Sequence, residues 1–403
     1  MIILWNLSKE AKERFAKNTL LLIHESDEEW EITAREAQEE GEDLFSRLKE
    51  ELEDVKDGLI NLIPSRFLPY LENGTLNQPS LPKDVREDYL QWVRSEEKEF
   101  EQILDAAYEQ TKQTIPFLPT AVQEVFAESL HDSTIERMDR EEDMLHLYIN
   151  TESGFSSKSL IHFIFKGILS EESDEPIQVG QWFIYDELKK TIDGFAFRVL
   201  FECPESQWTI TMKELVARYF YHPKEYTRLK DEEKLEDTSL TDYMKTLNSE
   251  HRYWFITPQV QCAIQSLEEN IVLENGTIEF GKDEMVVTVA GEKYSYRLSE
   301  YNPIRFIYTD VLEDPYEHLN VPVPKEDIEL AAFSADLELQ VRAWNTMYHN
   351  PEELSDIINR VLLKIKMTDE NEMMLCLYAQ HFYQEGILEQ AVIEKYRFFL
   401  EAD

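Results

Sequence analysis

Between Glu128 and Asp132 the apolar residues change period, and this constrains the fold more than any single motif. Before it they recur at helical intervals. Ala11, Phe15, Leu20 and Ile23 follow a capping Ser8, and Tyr89, Trp92, Phe100, Ile103 and Ala107 follow Pro82. Residues three or four apart share a helix face, so these rows are buried stripes. From Asp132 to Tyr221 the segments DMLHLYINT, SLIHFIFKGIL, GQWFIYDEL, GFAFRVLFEC and QWTITMKELVARYF are short, aromatic and β-branched, with polar turns between them. About five antiparallel strands in a meander are expected there.

The order of patterns predicts an α+β chain. A helical arm covers 1–128, an antiparallel β meander 129–222, and a linker or exposed helix 223–250. A β-hairpin region covers 251–324 and a C-terminal helical bundle 325–403. A chain of 403 residues suits two or three such domains. Near the end, Ala379, Phe382, Gly386 and Ala391 match part of the spacing of a tetratricopeptide unit. Stacking repeats need about three copies, so an ordinary helical hairpin divided at Gly386 is the expectation.

Asn275 to Asp283 contains G-x-x-x-x-G-K, the start of a phosphate-binding loop. Such a loop needs converging backbone N–H groups that open into a helix. Here Thr277, Ile278, Glu279 and Phe280 alternate like a strand with one buried face, and Asp283 replaces the magnesium-binding hydroxyl. The sequence predicts a hairpin, with Asn275-Gly276 as a type I′ pair and Gly281-Lys282-Asp283 opening the next turn. No cofactor is expected.

Lys and Arg number 40 against 82 Asp and Glu, a formal net charge of −42. Every successive block of fifty residues is net negative, so the charge belongs to the whole chain. Such a field repels nucleic-acid phosphates and anionic lipid, and it attracts basic proteins. The expected partner is a basic protein, with neither nucleic acid nor membrane. Cys203, Cys262 and Cys376 are odd in number and lack a C-x-x-C pair, which predicts reduced, buried thiols and no zinc site. The start, MIILWNLSKEAKERF, is charged too early for a secretory core, so the reading is cytoplasmic.

His131-Asp132 stands just before the first expected strand. Its chemistry suits proton exchange or metal binding, but adjacent strand residues point apart, so the pair alone makes no site. His146 and His162 are expected as core or inter-strand partners. Trp182 and Tyr185 lead into Asp186-Glu187, acids expected at a turn or facing another chain. The acidic runs lack calcium-loop spacing, and no metal is expected.

Five short segments occur in a recognisable order: FLP at Phe117–Pro119, LHDS at Leu130–Ser133, GF at Gly154-Phe155, WFIYDE at Trp182–Glu187 and MKELVARYF at Met212–Phe220. Together they resemble a bacterial family, common in spore-forming Gram-positives, that is described only as a domain of unknown function. The resemblance covers roughly residues 7–221, and Phe183 replaces the family's second tryptophan. It implies a shared fold and surface, and it favours Asp132, Asp186 and Glu187 as recognition residues.

The leading functional expectation is a non-catalytic interaction module for a basic partner, immunity- or inhibitor-like. Its interaction candidates are His131, Asp132, Trp182, Tyr185, Asp186 and Glu187. One alternative is an enzyme with a His/carboxylate site at the meander, which requires those residues to converge in a pocket. The other is a structural or phage-related component, distinguishable by assembly size in solution.

Overall fold

The helical arm begins with α1 (Lys9–Asn18), where Ser8 Oγ accepts the Ala11 N–H at 3.2 Å. The computed structural model describes residues 4–18, 20–21, 23–268, 270–368 and 371–400, so Met1–Ile3 of the opening segment lie outside it. α2 (Asp27–Glu40) starts at a reciprocal Ser26–Glu29 capping box and stops at Gly41, whose φ of 76° allows a left-handed cap. Asp43 then caps α3 (Leu44–Leu59). The run EWEITAREAQEEGEDLFSRLKEELEDVKDGLINLI, rich in helix formers along its whole length, is thus two helices broken at Gly41, while Gly58 lies inside α3. Short α4 (Leu68–Glu72), long α5 (Lys83–Thr114) and α6 (Thr120–Phe126) complete the arm. On α5 the expected stripe buries Tyr89, Phe100 and Ala107.

Six strands follow: β1 (Thr134–Glu141), β2 (Met144–Asn150), β3 (Leu160–Ser173), β4 (Trp182–Lys190), β5 (Phe195–Glu202) and β6 (Ser206–Phe220). They close into an antiparallel barrel of order β1-β2-β3-β6-β5-β4, with Thr134 opposite Trp182 at the seam. The additional strand is β1, TIERMDRE. Its register shift between Ile135 and Arg137 turns both Ile135 and Met138 inward despite the charged sequence. The sequential meander is interrupted once, because β3 pairs with β6 and leaves β4 to meet β1. Closure removes the exposed edges an open sheet would keep. Phe163, Phe165, Phe197, Phe201 and Trp208 fill the interior with essentially no exposure. Full burial of each such side chain contributes about 1.5–3 kcal/mol. α6 stoppers one mouth, its Phe126 ring 5.7 Å from Phe163 and 5.6 Å from Phe197.

The chain forms two compact units, Met1–Pro223 with Leu240–Leu312, and Lys224–Ser239 with Glu313–Asp403. α7 (Lys224–Asp231) belongs to the second and α8 (Leu240–Thr246) to the first. The first unit continues with β7 (Tyr253–Ile256), β8 (Gln261–Ser266), β9 (Val272–Leu273), β10 (Gly276–Phe280), β11 (Glu284–Val289), β12 (Glu292–Arg297) and β13 (Ile307–Thr309). These make one sheet of order β10-β11-β12 and another of order β13-β7-β8-β9. Tyr221, just past β6, exchanges two backbone hydrogen bonds of 2.8 Å with Thr309 of β13.

The letters of the phosphate loop fall on the β10–β11 hairpin, where the Gly281 N–H donates to Glu284 O at 2.8 Å and a strand follows. Asn275-Gly276 is not the type I′ pair. Gly276 opens β10 opposite Val289, and a Cβ there would lie 2.7 Å from Thr288 O. Close backbone approach is what demands glycine at that position. The positive-φ pair is Ala290 and Gly291, at 50° and 87°, which turns β11 into β12.

The second unit contains α9 (Ile328–Ala331), α10 (Leu337–His349), α11 (Pro351–Lys364), α12 (Glu372–Gln384), α13 (Gln390–Lys395) and α14 (Arg397–Leu400). Trp344, Ile358, Leu375, Phe382 and Tyr396 form its core. Gly386, at φ 70°, separates α12 from α13. Cys262 is buried, but Cys203, at the turn between β5 and β6, is exposed. Among the described residues no helix is long and apolar enough to cross a membrane.

Candidate functional site

The short segments that stand apart in sequence meet at the barrel seam. The Asp132 N–H donates to Phe183 O and the Phe183 N–H to Ser133 O, both at 2.8 Å, which joins LHDS to WFIYDE. Gly154 lies against the same turn, and a Cβ on it would fall 2.5 Å from His131 O and 3.2 Å from Ser133 Oγ. Phe155 follows, its ring 6.0 Å from that of His131 and largely exposed. Asp132 adopts φ 63°, a left-handed conformation that suits a short polar residue. That turn, rather than strand geometry, brings Asp132 Oδ2 to 3.1 Å from His131 Nδ1, so these two neighbours do not point apart.

A bulge then decides what β4 presents. Phe183 pairs with Phe201, but after the bulge Tyr185 pairs with Leu200, Asp186 with Val199 and Glu187 with Arg198. Directly opposed residues share a sheet face, so Asp186 joins the core-facing side of Val199 and Glu187 the outer side of Arg198. Glu187 is fully buried by the N-terminal segment. It accepts the Asn6 and Leu7 N–H groups at 3.0 Å each and Asn6 Nδ2 at 2.8 Å, and it pairs with Lys189 at 2.8 Å. Arg198 Nη1 donates to Leu7 O at 2.9 Å, and Trp5 lies under both Lys189 and Arg198. Glu187 therefore fastens residues 4–7 to the barrel and is closed to a partner.

Asp186 opens instead into a cavity of about 360 Å³ between α5, the end of α6 and β4. Leu7, Leu104, Ala107 and Ile184 line it with apolar surface, and Tyr108, Glu128, Ser129, His131 and Tyr185 add polar atoms. No protein donor bonds the Asp186 carboxylate among the described residues. Burial, reinforced by the neighbouring Glu187 charge, pushes this carboxyl up to about 7. Glu128, on the same wall, is already committed. It accepts Ser156 Oγ and Ser157 Oγ at 2.6 Å and the Ser157 N–H at 2.8 Å, and it pairs with Lys158 at 3.0 Å. Burial raises its carboxyl, but these donors outweigh that and hold it at about 2.

His131, Tyr185 and Asp186 thus share one cavity. Asp132 and half-exposed Trp182 stand at the seam outside it, and Glu187 faces away. The Tyr185 ring is 5.9 Å from His131 and 5.5 Å from Phe100. His146 and His162 are inter-strand partners on the outer barrel face, with 3.0 Å between His146 Nδ1 and His162 Nε2. Burial, then His146, Arg218 and Arg137, lower the His162 pKa to about 3. No group of three or more His, Cys, Asp or Glu suited to a metal occurs among the described residues. Sequence reasoning missed the far wall, Leu104, Tyr108 and Thr111, because nothing in the helical period of α5 indicates which strand it faces.

No curated protein and no solved structure matches this chain. Residues 8–212 match the family described as Protein of unknown function (DUF4085), a span holding α1 to α6, the seam, every cavity-lining residue but Leu7 and all but the end of the barrel. The chain belongs to that family.

Proposed function

We propose that this protein is a cytoplasmic, non-catalytic interaction module that captures a basic partner protein, in the manner of an immunity or inhibitor protein. The supporting observation is the surplus of uncompensated carboxylates. On α2 alone Glu28, Glu31, Glu36, Glu39 and Glu40 are exposed, with no cation at bonding distance among the described residues. A field of this kind accelerates encounter with a basic surface and is screened by salt over a Debye length of about 10 Å at 0.1 M. Exposed Phe155 and Trp182 at the seam supply apolar contact for such a partner. Affinity capture from cell extract at low and high ionic strength tests the reading. A specifically retained basic protein released by salt is expected, and retention of none at either strength removes the proposal.

An enzymatic reading draws on one observation, the shared cavity of His131 and an Asp186 that titrates near neutrality. Model esters, amides and glycosides incubated with wild type and Asp186→Asn test it. Equal background rates for both proteins would leave the cavity non-catalytic.

A further inference from the structure

We propose that the cavity at the barrel mouth binds an organic cation, a primary ammonium or guanidinium group on an apolar stem, with the Asp186 carboxylate as its counter-ion. The chemistry follows from what each wall has left to offer. Of the carboxylates at this end of the barrel, Glu128 is satisfied by Lys158 and the serines, and Glu187 by Lys189 and residues 6–7. Only Asp186 faces the cavity with neither a donor nor a paired cation among the described residues. Holding an unpaired carboxylate among apolar atoms costs several kcal/mol. An incoming cation cancels that cost, an anion adds to it, and a neutral ligand leaves it in place.

The remaining surface suits the stem of such a ligand. Leu104, Ala107 and Ile184 line the cavity with aliphatic atoms, and Tyr108 and Tyr185 place aromatic rings at its wall. Ring faces attract ammonium and guanidinium groups, and Lys112 Nζ already stands 5.8 Å from the Tyr108 ring centre. The volume of about 360 Å³ falls within the range of small-ligand pockets, roughly 300–1,000 Å³. The titratable groups facing Asp186 are Tyr108 on α5, Glu128 and His131 on the preceding loop, and Tyr185 on β4, while Glu187, next in β4 but on its other face, adds a neighbouring negative charge. The cation has two possible sources, a free amine or a lysine or arginine side chain of a partner. Only the second rests on the interaction reading above.

The test uses the full-length chain titrated calorimetrically with n-butylammonium, agmatine and neutral n-butanol, at about 0.15 M salt to screen the general acidic field. Both cations are expected to bind wild type saturably at pH 8 and about tenfold more weakly at pH 6, because Asp186 ionises near 7. Butanol binds at least tenfold more weakly than either. Asp186→Asn abolishes cation binding without lowering the melting temperature, and His131→Gln keeps the pH dependence of binding, which separates Asp186 from the nearby imidazole. The inference is overturned if wild type binds neither cation at pH 8, if Asp186→Asn binds them equally, or if butanol binds as well. Cation binding without partner capture leaves the cavity site standing and the interaction reading refuted, and capture without cation binding does the reverse. Capture that Asp186→Asn loses assigns the cation to a partner side chain, whereas undiminished capture assigns it to a free amine.

Discussion

Replacing Asp186 with Asn should stabilise the barrel above neutral pH, although it deletes a charge from a water-loving side chain. In the unfolded chain an aspartate ionises near 3.8, and in the fold burial and Glu187 push it up to about 7. Each tenfold displacement of a protonation equilibrium corresponds to about 1.36 kcal/mol, so ionising Asp186 in the fold costs about 4 kcal/mol. The sign follows from linkage. The folded pKa is raised, so the contribution of the neutral carboxyl is fully present below about pH 4 and is lost as pH rises to about 7. Asparagine is isosteric and neutral throughout, and it leaves the same site without a donor. The variant should therefore match wild type near pH 4 and exceed it by about 2–4 kcal/mol at pH 8. Native-state hydrogen exchange of β4 and β5 amides, compared between the two proteins at each pH, isolates the barrel from the second unit. Equal protection at pH 8, or a gain as large at pH 4 as at pH 8, would refute the argument that Asp186 is an unpaired acid in a desolvated cavity wall.

Three further outcomes follow from the same contacts. Glu187→Ala leaves Lys189 and the Asn6 and Leu7 N–H groups without their acceptor, and should cost about 3–5 kcal/mol with loss of amide protection at residues 6–7. Protection there unchanged from wild type would show that the segment is held by Arg198 and Trp5 alone. Glu128 has a depressed carboxyl, so its contribution is present above about pH 4.5 and lost as pH falls to about 2. Glu128→Gln should lower stability by about 1–3 kcal/mol at neutral pH and by little at pH 2, measured as melting temperature across that range. Gly154→Ala forces a methyl within 2.5 Å of His131 O and should cost about 1–3 kcal/mol in a melt, so an unchanged melting temperature would contradict the close packing at the seam.

Much of the fold was legible because it is local. Ser8 starts a helix in the residues that follow it, the stripe on α5 repeats every three or four positions, and the alternation in β10 outweighs its phosphate-loop letters. Gly41 shows where that reading fails, since one left-handed residue ends a helix whose composition would otherwise continue. The closeness of the LHDS, GF and WFIYDE segments was suggested by resemblance and not by periodicity, because their contacts span some fifty residues from His131 to Asp186.

The helical and β segments, the pervasive negative charge and the order of the family's short segments are all written locally along the chain. Tertiary structure alone decided how those segments face one another. Strict alternation along WFIYDE places Asp186 outside with Trp182 and Ile184, and the bulge after Phe183 reverses this, turning Asp186 inward and Glu187 outward. The pairing of β3 with β6 also leaves β4 beside β1, which brings the loop of His131 next to Asp186. The physical reason is that strand register and burial depend on non-local pairing. One extra residue in a strand exchanges its two faces, and burial then sets which carboxylate is an anchor and which is an unpaired acid.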